Sequence, residues 1–340
     1  MITRRLIVGL TAALALSACG DAANKSASTA MPGEVRFSIL STESAQNMEG
    51  YWKPILADME KQTGLKVKPF FSNNYTTLVT AMQFKQTELG WFSNLPGLDA
   101  VRRANGEVFA RTFDPSGIDG YTSVIIVPAK SNLTLDKVLK CDKTLNFGIG
   151  DVRSTSGTLA PITYLFAPRD IKPETCFKTV RSGNHQNNLL SVANGQLDVA
   201  TNNSTALRLN RQRGQHDADR VRVIWESPTL PEDPIIWRKD LDPAVKEKLR
   251  QFFLTYGQGD SPEAQRQRAN LAKLSIGGFK PADDTHLLPV REMEATEDWL
   301  LAKEAGDAAK TTAARKALDD ITAQRVALEA RTRAPAAAQN

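Results

Sequence analysis

The sequence predicts an α/β protein made of two successive blocks. Short apolar and β-branched segments alternate with amphipathic ones, as strands alternate with helices around a sheet. The alternation runs to about residue 127 and then restarts, and no shorter repeat is present. A chain of 340 residues is long enough for two ordinary domains. We therefore expect two lobes and, between them, the cleft in which such folds bind ligands.

The first block covers residues 34–127. Alternating or β-branched segments predict strands at 34–40, 65–71, 89–92, 108–112 and 121–127. Helical spacing between them predicts helices that include 51–62, 76–85 and 96–105. Gly64 and Asn105-Gly106 end two of these helices, since glycine and asparagine tolerate the left-handed conformation of a helix C-terminus.

The second block covers residues 128–221. The same patterns predict strands at 145–149, 177–180, 197–200 and 221–225, and helices at 135–138, 157–167, 187–194 and 207–213. Two further helices are predicted at 243–256 and, as a long tail rich in alanine and charge, from Glu292 onwards.

The predicted lobes follow from these blocks. Lobe 1 comprises 34–127 and 222–291, lobe 2 comprises 128–221, and a hinge joins them. Residues 292–340 form a helical C-terminal tail, which either packs along a lobe or mediates self-association.

The N-terminus predicts export and lipid anchoring. A basic start is followed by the apolar stretch Leu6 to Leu16, which is too short to span a bilayer. Leu16-Ser17-Ala18-Cys19 resembles the bacterial lipoprotein box, although an ordinary signal peptide with an unrelated cysteine is the alternative. We predict a signal peptide at 1–18, lipidation of Cys19, a flexible tether at 19–33, and a periplasmic protein anchored to a membrane.

The charge pattern argues against a nucleic-acid-binding protein. Lys and Arg number 43 and Asp and Glu 38, which gives a net charge of +5, and the basic residues form no run of five. A surface for nucleic acid would concentrate them on one face. We expect no nucleic acid among the partners.

Two cysteines remain after Cys19. Disulfides persist in exported proteins, so we predict a bridge between Cys141 and Cys176, with two unpaired buried thiols as the alternative. Two cysteines about 35 residues apart in a chain with three histidines fit no zinc spacing. Neither a metal nor a cofactor is expected.

A glycine-lined turn between a strand and a helix is the strongest candidate for an anion site. Residues 148–157, which we call the hydroxyl turn, bring Ser154, Thr155 and Ser156 to a helix N-terminus. Free backbone N–H groups and the helix dipole favour an anion there, and the hydroxyls add donors. Ordinary N-capping, the alternative, needs only one of the three hydroxyls.

An ordered set of motifs resembles the periplasmic phosphonate-binding (PhnD-type) components of ABC transporters. The motifs that carry this resemblance include Ser41-Thr42-Glu43-Ser44, Arg103-Ala104-Asn105-Gly106, Gly150-Asp151, the three hydroxyl residues, Asp198-Val199-Ala200-Thr201-Asn202-Asn203 and Asp233-Pro234-Ile235. They extend from about Arg36 to Arg291. The resemblance implies a two-lobe type II periplasmic-binding fold that closes over a small phosphonate and delivers it to a membrane permease.

The resemblance also implies which residues bind the anionic end of the ligand. Ser154, Thr155 and Ser156 match the turn that binds the phosphonate oxygens in the family. His185, within Gly183-Asn184-His185-Gln186, matches a histidine that assists them.

At the far end of an aminoalkyl phosphonate, the family uses two tyrosines and two carboxylates. Tyr75 and Tyr121 match the tyrosines and Asp233 matches one carboxylate, although Glu232-Asp233-Pro234 is also a common turn sequence. The second carboxylate falls at Thr205, which is not an acid. Because each charge-assisted hydrogen bond contributes roughly 1.5–3 kcal/mol, we expect Thr205 to weaken an ammonium ligand. A phosphonate without an amine, one whose amine needs only Asp233, or a phosphate ester is expected instead.

No enzyme is predicted. Ser154, His185 and Asp233 are the residue types of a serine hydrolase, but the hydroxyl turn lacks the G-x-S-x-G elbow that such a nucleophile needs. The P-loop of nucleotide-hydrolysing enzymes and the G-x-G-x-x-G motif of dinucleotide-binding enzymes are also missing from the sequence. A binding protein for a phosphate ester, phosphite, phosphate or organic acid would have the same fold and is the alternative function.

Overall fold

The computed structural model describes residues 33–337, and it describes side chains as far as residue 331. The strands of this part of the chain are β1 Glu34–Leu40, β2 Lys66–Ser72, β3 Leu89–Trp91, β4 Gly106–Phe113, β5 Ser123–Pro128, β6 Asn146–Ile149, β7 Thr179–Ser182, β8 Val199–Asn203, β9 Val221–Glu226, β10 Pro234–Arg238 and β11 Gly278–Pro281.

The helices lie between and after these strands. They are α1 Ala45–Thr63, α2 Tyr75–Gln83, α3 Asn94–Arg103, α4 Leu135–Val138, α5 Pro173–Cys176, α6 His185–Ala193, α7 Ser204–Gln212, α8 Pro243–Thr255, α9 Pro262–Ala272, α10 Leu288–Glu304 and α11 Ala308–Ala337. Residues 155–169 form one more helix, which we call the hydroxyl helix, and its turns at Thr155–Leu159 and Ile162–Phe166 are wide.

The strands form two sheets with a similar arrangement of parallel and antiparallel strands. The sheet of lobe 1 has the order β11-β4-β10-β3-β1-β2, and the sheet of lobe 2 has the order β7-β6-β8-β5-β9. In each sheet three neighbouring strands are parallel, and the next strand is antiparallel to them. This is the two-lobe α/β architecture that the sequence predicts.

The parallel strands determine where the helices begin. Each of them is followed directly by a helix: β1, β2 and β3 by α1, α2 and α3, and β6, β7 and β8 by the hydroxyl helix, α6 and α7. Because the carboxyl ends of parallel strands lie at one edge of a sheet, the N-termini of the helices also gather at that edge. Each lobe therefore presents several helix N-termini on one side.

The division between the lobes differs from the predicted one. Strand β5 pairs with β8 and β9, so 123–128 and 221–226 belong to the sheet of lobe 2, whereas the predicted boundaries put most of both segments in lobe 1. The chain thus crosses between lobes at 114–122 and again at 227–233. Tyr121 and Leu230 pair in an antiparallel bridge where these two crossovers meet. The pattern of alternating elements marks strands, but it does not say which sheet a strand joins.

Apolar side chains pack on both faces of each sheet. In lobe 1 the rings of Phe109 and Trp237 stack with their centroids 3.7 Å apart, and in lobe 2 Phe147 and Phe177 stack at 4.3 Å. Burial of these large rings contributes to the free energy of folding in each lobe. Each lobe therefore has a core of its own, and a small number of chain crossings connects them.

The C-terminal tail is a pair of helices rather than one long helix. Gly306, at φ +68°, ends α10 in the left-handed conformation that favours glycine, and α11 then packs along α10. Arg325 of α11 pairs with Glu292 of α10. Helix α10 also contacts lobe 2, because Thr163 Oγ1 of the hydroxyl helix donates to the backbone oxygen of Met293 at 3.5 Å. The tail therefore packs against the folded lobes, and self-association stays a prediction.

The N-terminal predictions lie outside the described residues. These are the signal peptide at 1–18, the lipidated Cys19 and the tether as far as residue 32. None of the helices within the described residues combines the length and the low polarity needed to cross a bilayer.

The structure contains the predicted disulfide between Cys141 and Cys176, which are separated by 35 residues. It joins the segment before β6 to α5, beyond the hydroxyl helix. The bridge therefore closes the loop that carries the hydroxyl turn.

We expect the Cys141→Ser/Cys176→Ser variant to lose about 3–4 kcal/mol of unfolding free energy, because the open chain gains conformational entropy in the unfolded state. Urea titration followed by circular dichroism measures the loss. Wild-type protein unfolded under reducing conditions should match the variant, and equal stability of the variant and the oxidised wild type would contradict the prediction.

Candidate functional site

A cavity of about 100 Å³ lies between the two lobes. Both lobes and both crossovers contribute to its wall. The residues that line the cavity include Tyr75, Trp91, Ser93, Tyr121, Ser156, His185, Asn203, Thr205, Arg213, Glu232 and Asp233. Six of the eight predicted ligand-binding residues are among them; Ser154 and Thr155 lie next to the wall in the hydroxyl turn.

Five helices begin at this cavity. Tyr75 is the first residue of α2, Ser93 precedes α3, Ser156 is near the start of the hydroxyl helix, His185 is the first residue of α6, and Thr205 is the second residue of α7. The first N–H groups of a helix have no partner within the helix, and the helix dipole is positive at that end. Their convergence makes the cavity a strong site for an anion.

The three hydroxyls of the turn have different environments. Ser154 caps the hydroxyl helix, with its Oγ accepting from the N–H of Gly157 at 3.0 Å. Thr155 Oγ1 accepts from the N–H of Leu95 at 2.8 Å and lies 2.7 Å from Ser93 Oγ, so it joins the two lobes. Ser156 is the member of the three that lines the cavity. The turn thus combines a helix cap, a contact between the lobes and a hydroxyl that faces the cavity.

His185 lies beside Ser156 in lobe 2. Its Nε2 is 3.4 Å from Ser156 Oγ, and Asn203 Nδ2 approaches the same hydroxyl at 3.4 Å. Burial lowers the pKa of His185 to about 4, because no carboxylate compensates for the loss of water around the charged ring. The imidazole is therefore neutral at pH 7, and an anion nearby would favour its protonated form.

Tyr75 and Tyr121 connect the hydroxyl turn to the acidic side of the cavity. Tyr75 interacts with Ser154, and Tyr121 interacts with Ser156. Burial raises the pKa of both phenols, and the negative charge of Asp233 raises them further. Both hydroxyls therefore keep their protons and can donate to a ligand oxygen.

Glu232 and Asp233 form the acidic side of the cavity. Burial raises the pKa of Glu232 to about 7, with a smaller contribution from Asp114. Burial also raises the pKa of Asp233 well above its usual range, and Glu232 adds to the effect. Thr205 lies in the same wall, at the start of α7. The cavity consequently has a side that favours an anion and a side that carries two acids.

Three arginines of lobe 2 hold the lobes together. The ion pairs that they form with lobe 1 or with the crossover are Arg153–Asp99, Arg208–Asp114 and Arg213–Glu43. The guanidinium of Arg213 also lies 4.2 Å above the ring of Tyr51 in α1. These contacts close the cleft around the cavity, so the lobes are in a closed arrangement.

Several lining residues were not expected from the sequence. Ser93 and Asn203 each follow or end a parallel strand just before a helix, and this position could have identified them as it identified the hydroxyl turn. Glu232 precedes Asp233, and the sequence Glu232-Asp233-Pro234 is typical of a turn, so it gave no reason to assign Glu232 to the site. Trp91, whose buried Nε1 has no hydrogen-bond partner within residues 33–337, offered no pattern beyond an apolar strand.

The site has no arrangement for a metal ion. Within the described residues, no group of histidine, cysteine and carboxylate side chains is placed to hold one.

We expect Gly150→Ala to lose about 1–3 kcal/mol of unfolding free energy, because an added methyl group in a well-packed region forces its neighbours to move. A Cβ at Gly150 would lie 2.6 Å from Cα of Gly157, so the hydroxyl turn has to move. Thermal unfolding measures the loss.

Gly50→Ala is the matched control. A Cβ at this helical position meets nothing within 4 Å, and alanine favours the helix, so stability should stay equal or increase. A Gly150→Ala protein as stable as wild type would show that the turn does not require the close approach.

Comparison with known proteins identifies the family. Residues 37–287 match the family described as ABC transporter, phosphonate, periplasmic substrate-binding protein. The chain is 40% identical over 303 residues to the phosphonates-binding periplasmic protein of Escherichia coli K12, which covers 87% of this chain and 88% of that protein.

Solved structures agree with this assignment. The binding protein component of an ABC phosphonate transporter from Pseudomonas aeruginosa superimposes with a TM-score of 0.82 and 37% identity, over 87% of this chain and 99% of that one. PhnD1 of Prochlorococcus marinus in complex with methylphosphonate shares the fold, with a TM-score of 0.67 and 20% identity over 77% of this chain and 97% of that one. The chain therefore belongs to the family of periplasmic substrate-binding proteins of phosphonate ABC transporters.

Proposed function

We propose that the protein captures an organophosphonate outside the cytoplasm and delivers it to an ABC transporter permease. The observation that carries this proposal is the convergence of five helix N-termini on one closed cavity between two lobes. A tetrahedral anion presents several acceptor oxygens, and this arrangement offers N–H and hydroxyl donors from several directions. The E. coli and P. aeruginosa relatives support the phosphonate as ligand.

Capture proceeds by closure of the lobes. The hydroxyl turn, His185 and Thr205 lie on lobe 2 and meet the anion first, and Tyr75 and Ser93 come from lobe 1 when the cleft closes. Tyr121 and Asp233 lie on or at the end of the crossovers, between the two sheets. Closure is favoured by the ligand only to the extent that the ligand makes contacts that are missing in the open form. We assign 34–113 and 234–291 to lobe 1 and 123–226 to lobe 2, in accordance with the sheets.

Binding without catalysis is part of this proposal. A hydrolase of the serine type needs a carboxylate on the second nitrogen of its histidine, to hold the ring and stabilise its charge. In the described part of the chain, Nδ1 of His185 has no hydrogen-bond partner. The hydroxyl of Ser156 therefore has a neutral, unoriented neighbour and is suited to donating a hydrogen bond.

We also propose that the protein is anchored in the periplasm by lipid on Cys19. The lipoprotein-type sequence Leu16-Ser17-Ala18-Cys19 supports this, and the family is periplasmic. Distribution of the protein between membrane and soluble periplasmic fractions tests the anchor, since an unlipidated protein would be found in the soluble fraction.

We expect wild-type protein to bind methylphosphonate and Ser156→Ala to bind it about 10- to 100-fold more weakly, because a hydrogen bond to an anion is worth roughly 1.5–3 kcal/mol. Isothermal titration calorimetry measures the change. Ser191→Ala, at a serine of α6 that does not line the cavity, is the control and should bind normally.

Inorganic phosphate and phosphite are titrated in parallel. Either anion binding more tightly than every phosphonate tested would replace the proposed ligand class, and conversion of the phosphonate into a product would show an enzyme.

Arg213→Ala should raise the apparent dissociation constant for methylphosphonate about 5- to 50-fold. Arg213 also lines the cavity, so the scattering measurement below is needed to detect a change in closure. The variant loses the ion pair with Glu43 and the contact with Tyr51, so the closed form becomes less populated. Small-angle scattering at the same subsaturating concentration of methylphosphonate should show a larger radius of gyration for the variant than for wild-type protein.

Arg211→Ala is the control for this prediction, because Arg211 lies on the same helix and pairs with Asp219 inside lobe 2. The role of Arg213 in closure is wrong if both variants change the affinity equally.

A further inference from the structure

A proline lies in the interior of the helix that carries the anion-binding turn. Pro161 is buried and lies beyond the first turn of the hydroxyl helix, which begins at Thr155 and ends at Arg169. Proline suits the first turn of a helix, but farther inside it has no N–H to donate and it destabilises the helix. Helix formation therefore does not explain why this residue is a proline.

The missing N–H leaves two carbonyl groups of the hydroxyl turn without a donor from position 161. In an ordinary turn, residue 161 would donate to the oxygen of Gly157, four residues earlier. In a wide turn it would donate to the oxygen of Ser156, five residues earlier. Both patterns are relevant, because the hydroxyl helix begins with wide turns and has an ordinary one at 160–161.

Both carbonyl groups bond to other parts of lobe 2 instead. The oxygen of Gly157 accepts from the N–H of Gly150 at 2.9 Å, and this bond closes the hydroxyl turn. The oxygen of Ser156 accepts from Ser123 Oγ at 2.6 Å, at the start of β5. Ser123 is fully buried, and its own N–H donates to Ser227 Oγ at 3.0 Å. The backbone on both sides of the Ser156–Gly157 peptide is therefore fixed by partners outside the helix.

We propose that Pro161 is a positioning residue of the anion site. Because Pro161 donates no hydrogen bond, the oxygen of Ser156 stays bonded to β5 and the turn stays closed, and these two bonds hold the Ser156 hydroxyl at the cavity. Pro161 itself is not among the residues that line the cavity, so it acts through Ser156. The inference rests on the proposed function, since it concerns the hydroxyl that meets the anion.

An N–H at position 161 would compete for the carbonyl groups that hold the turn. Capture of the Gly157 oxygen would add an ordinary helical hydrogen bond and would leave the N–H of Gly150 without its acceptor. The two glycines pack closely, since a Cβ on Gly150 would lie 2.6 Å from Cα of Gly157, so the turn cannot adjust without moving. The Ser156 hydroxyl would then shift from its place 3.4 Å from His185 Nε2.

The first test is the affinity of Pro161→Ala for methylphosphonate, measured by isothermal titration calorimetry. We expect binding about 10- to 100-fold weaker than that of wild-type protein, the value of one hydrogen bond to an anion. Alanine favours the interior of a helix, so the variant should fold, and thermal unfolding checks this.

A double variant separates positioning from a general structural effect. Since Pro161 acts through the hydroxyl of Ser156, Pro161→Ala/Ser156→Ala should bind methylphosphonate as weakly as Ser156→Ala alone, within about threefold. Two independent losses of affinity would multiply instead.

Hydrogen exchange tests the turn in the absence of ligand. In Pro161→Ala, the backbone amides of residues 148–157 should exchange at least about threefold faster than in wild-type protein, as measured by mass spectrometry. Pro168→Ala is the matched control, because Pro168 is exposed in the last turn of the same helix. It should keep the wild-type affinity and the wild-type exchange.

The outcomes distinguish this inference from the proposed function. The inference is wrong, while the proposed function stands, if Pro161→Ala binds methylphosphonate as wild-type protein does. The same holds if its loss multiplies with that of Ser156→Ala. If wild-type protein binds no phosphonate, the proposed function is wrong. In that case faster exchange in Pro161→Ala still supports Pro161 as the residue that holds the turn, and unchanged exchange overturns it.

Discussion

The direction of the parallel strands is the constraint on which the binding site depends. A helix that follows a parallel strand must begin at the carboxyl edge of its sheet, so three helix N-termini in each lobe lie at that edge. The two edges face each other across the cleft. Donors that would cost free energy if buried unpaired are therefore concentrated where an anion can satisfy them. The backbone therefore adds to the positive charge of Arg213, which lines the same cavity.

The arginines join the two lobes, and Arg213 also lines the cavity. Arg153, Arg208 and Arg213 all extend from lobe 2 to acids of lobe 1 or of the crossover. Arg153 and Arg208 join the lobes without being among the residues that line the cavity.

The sequence predicted the parts of the structure that have local causes. The strand and helix alternation, the hydroxyl turn and the Cys141–Cys176 pair each depend on nearby residues. The sheet that β5 and β9 join depends on hydrogen bonds to distant strands, and the local pattern therefore predicted lobe 1 for most of both strands, which pair in the sheet of lobe 2. Helix α9 and strand β11, between 257 and 291, were not predicted, because each contains too few apolar residues to show a helical or alternating pattern. Thr155 bonds to Leu95 only because the lobes are closed.

The crossovers that join the lobes also carry part of the ligand wall. Tyr121 pairs with Leu230, and Glu232 and Asp233 follow a few residues later, so the segments that connect the lobes also line the cavity. A substitution that adapts the wall to a new compound therefore changes the stiffness of the bend as well. We therefore expect a substitution selected for a new ligand preference also to change the rate at which the lobes open.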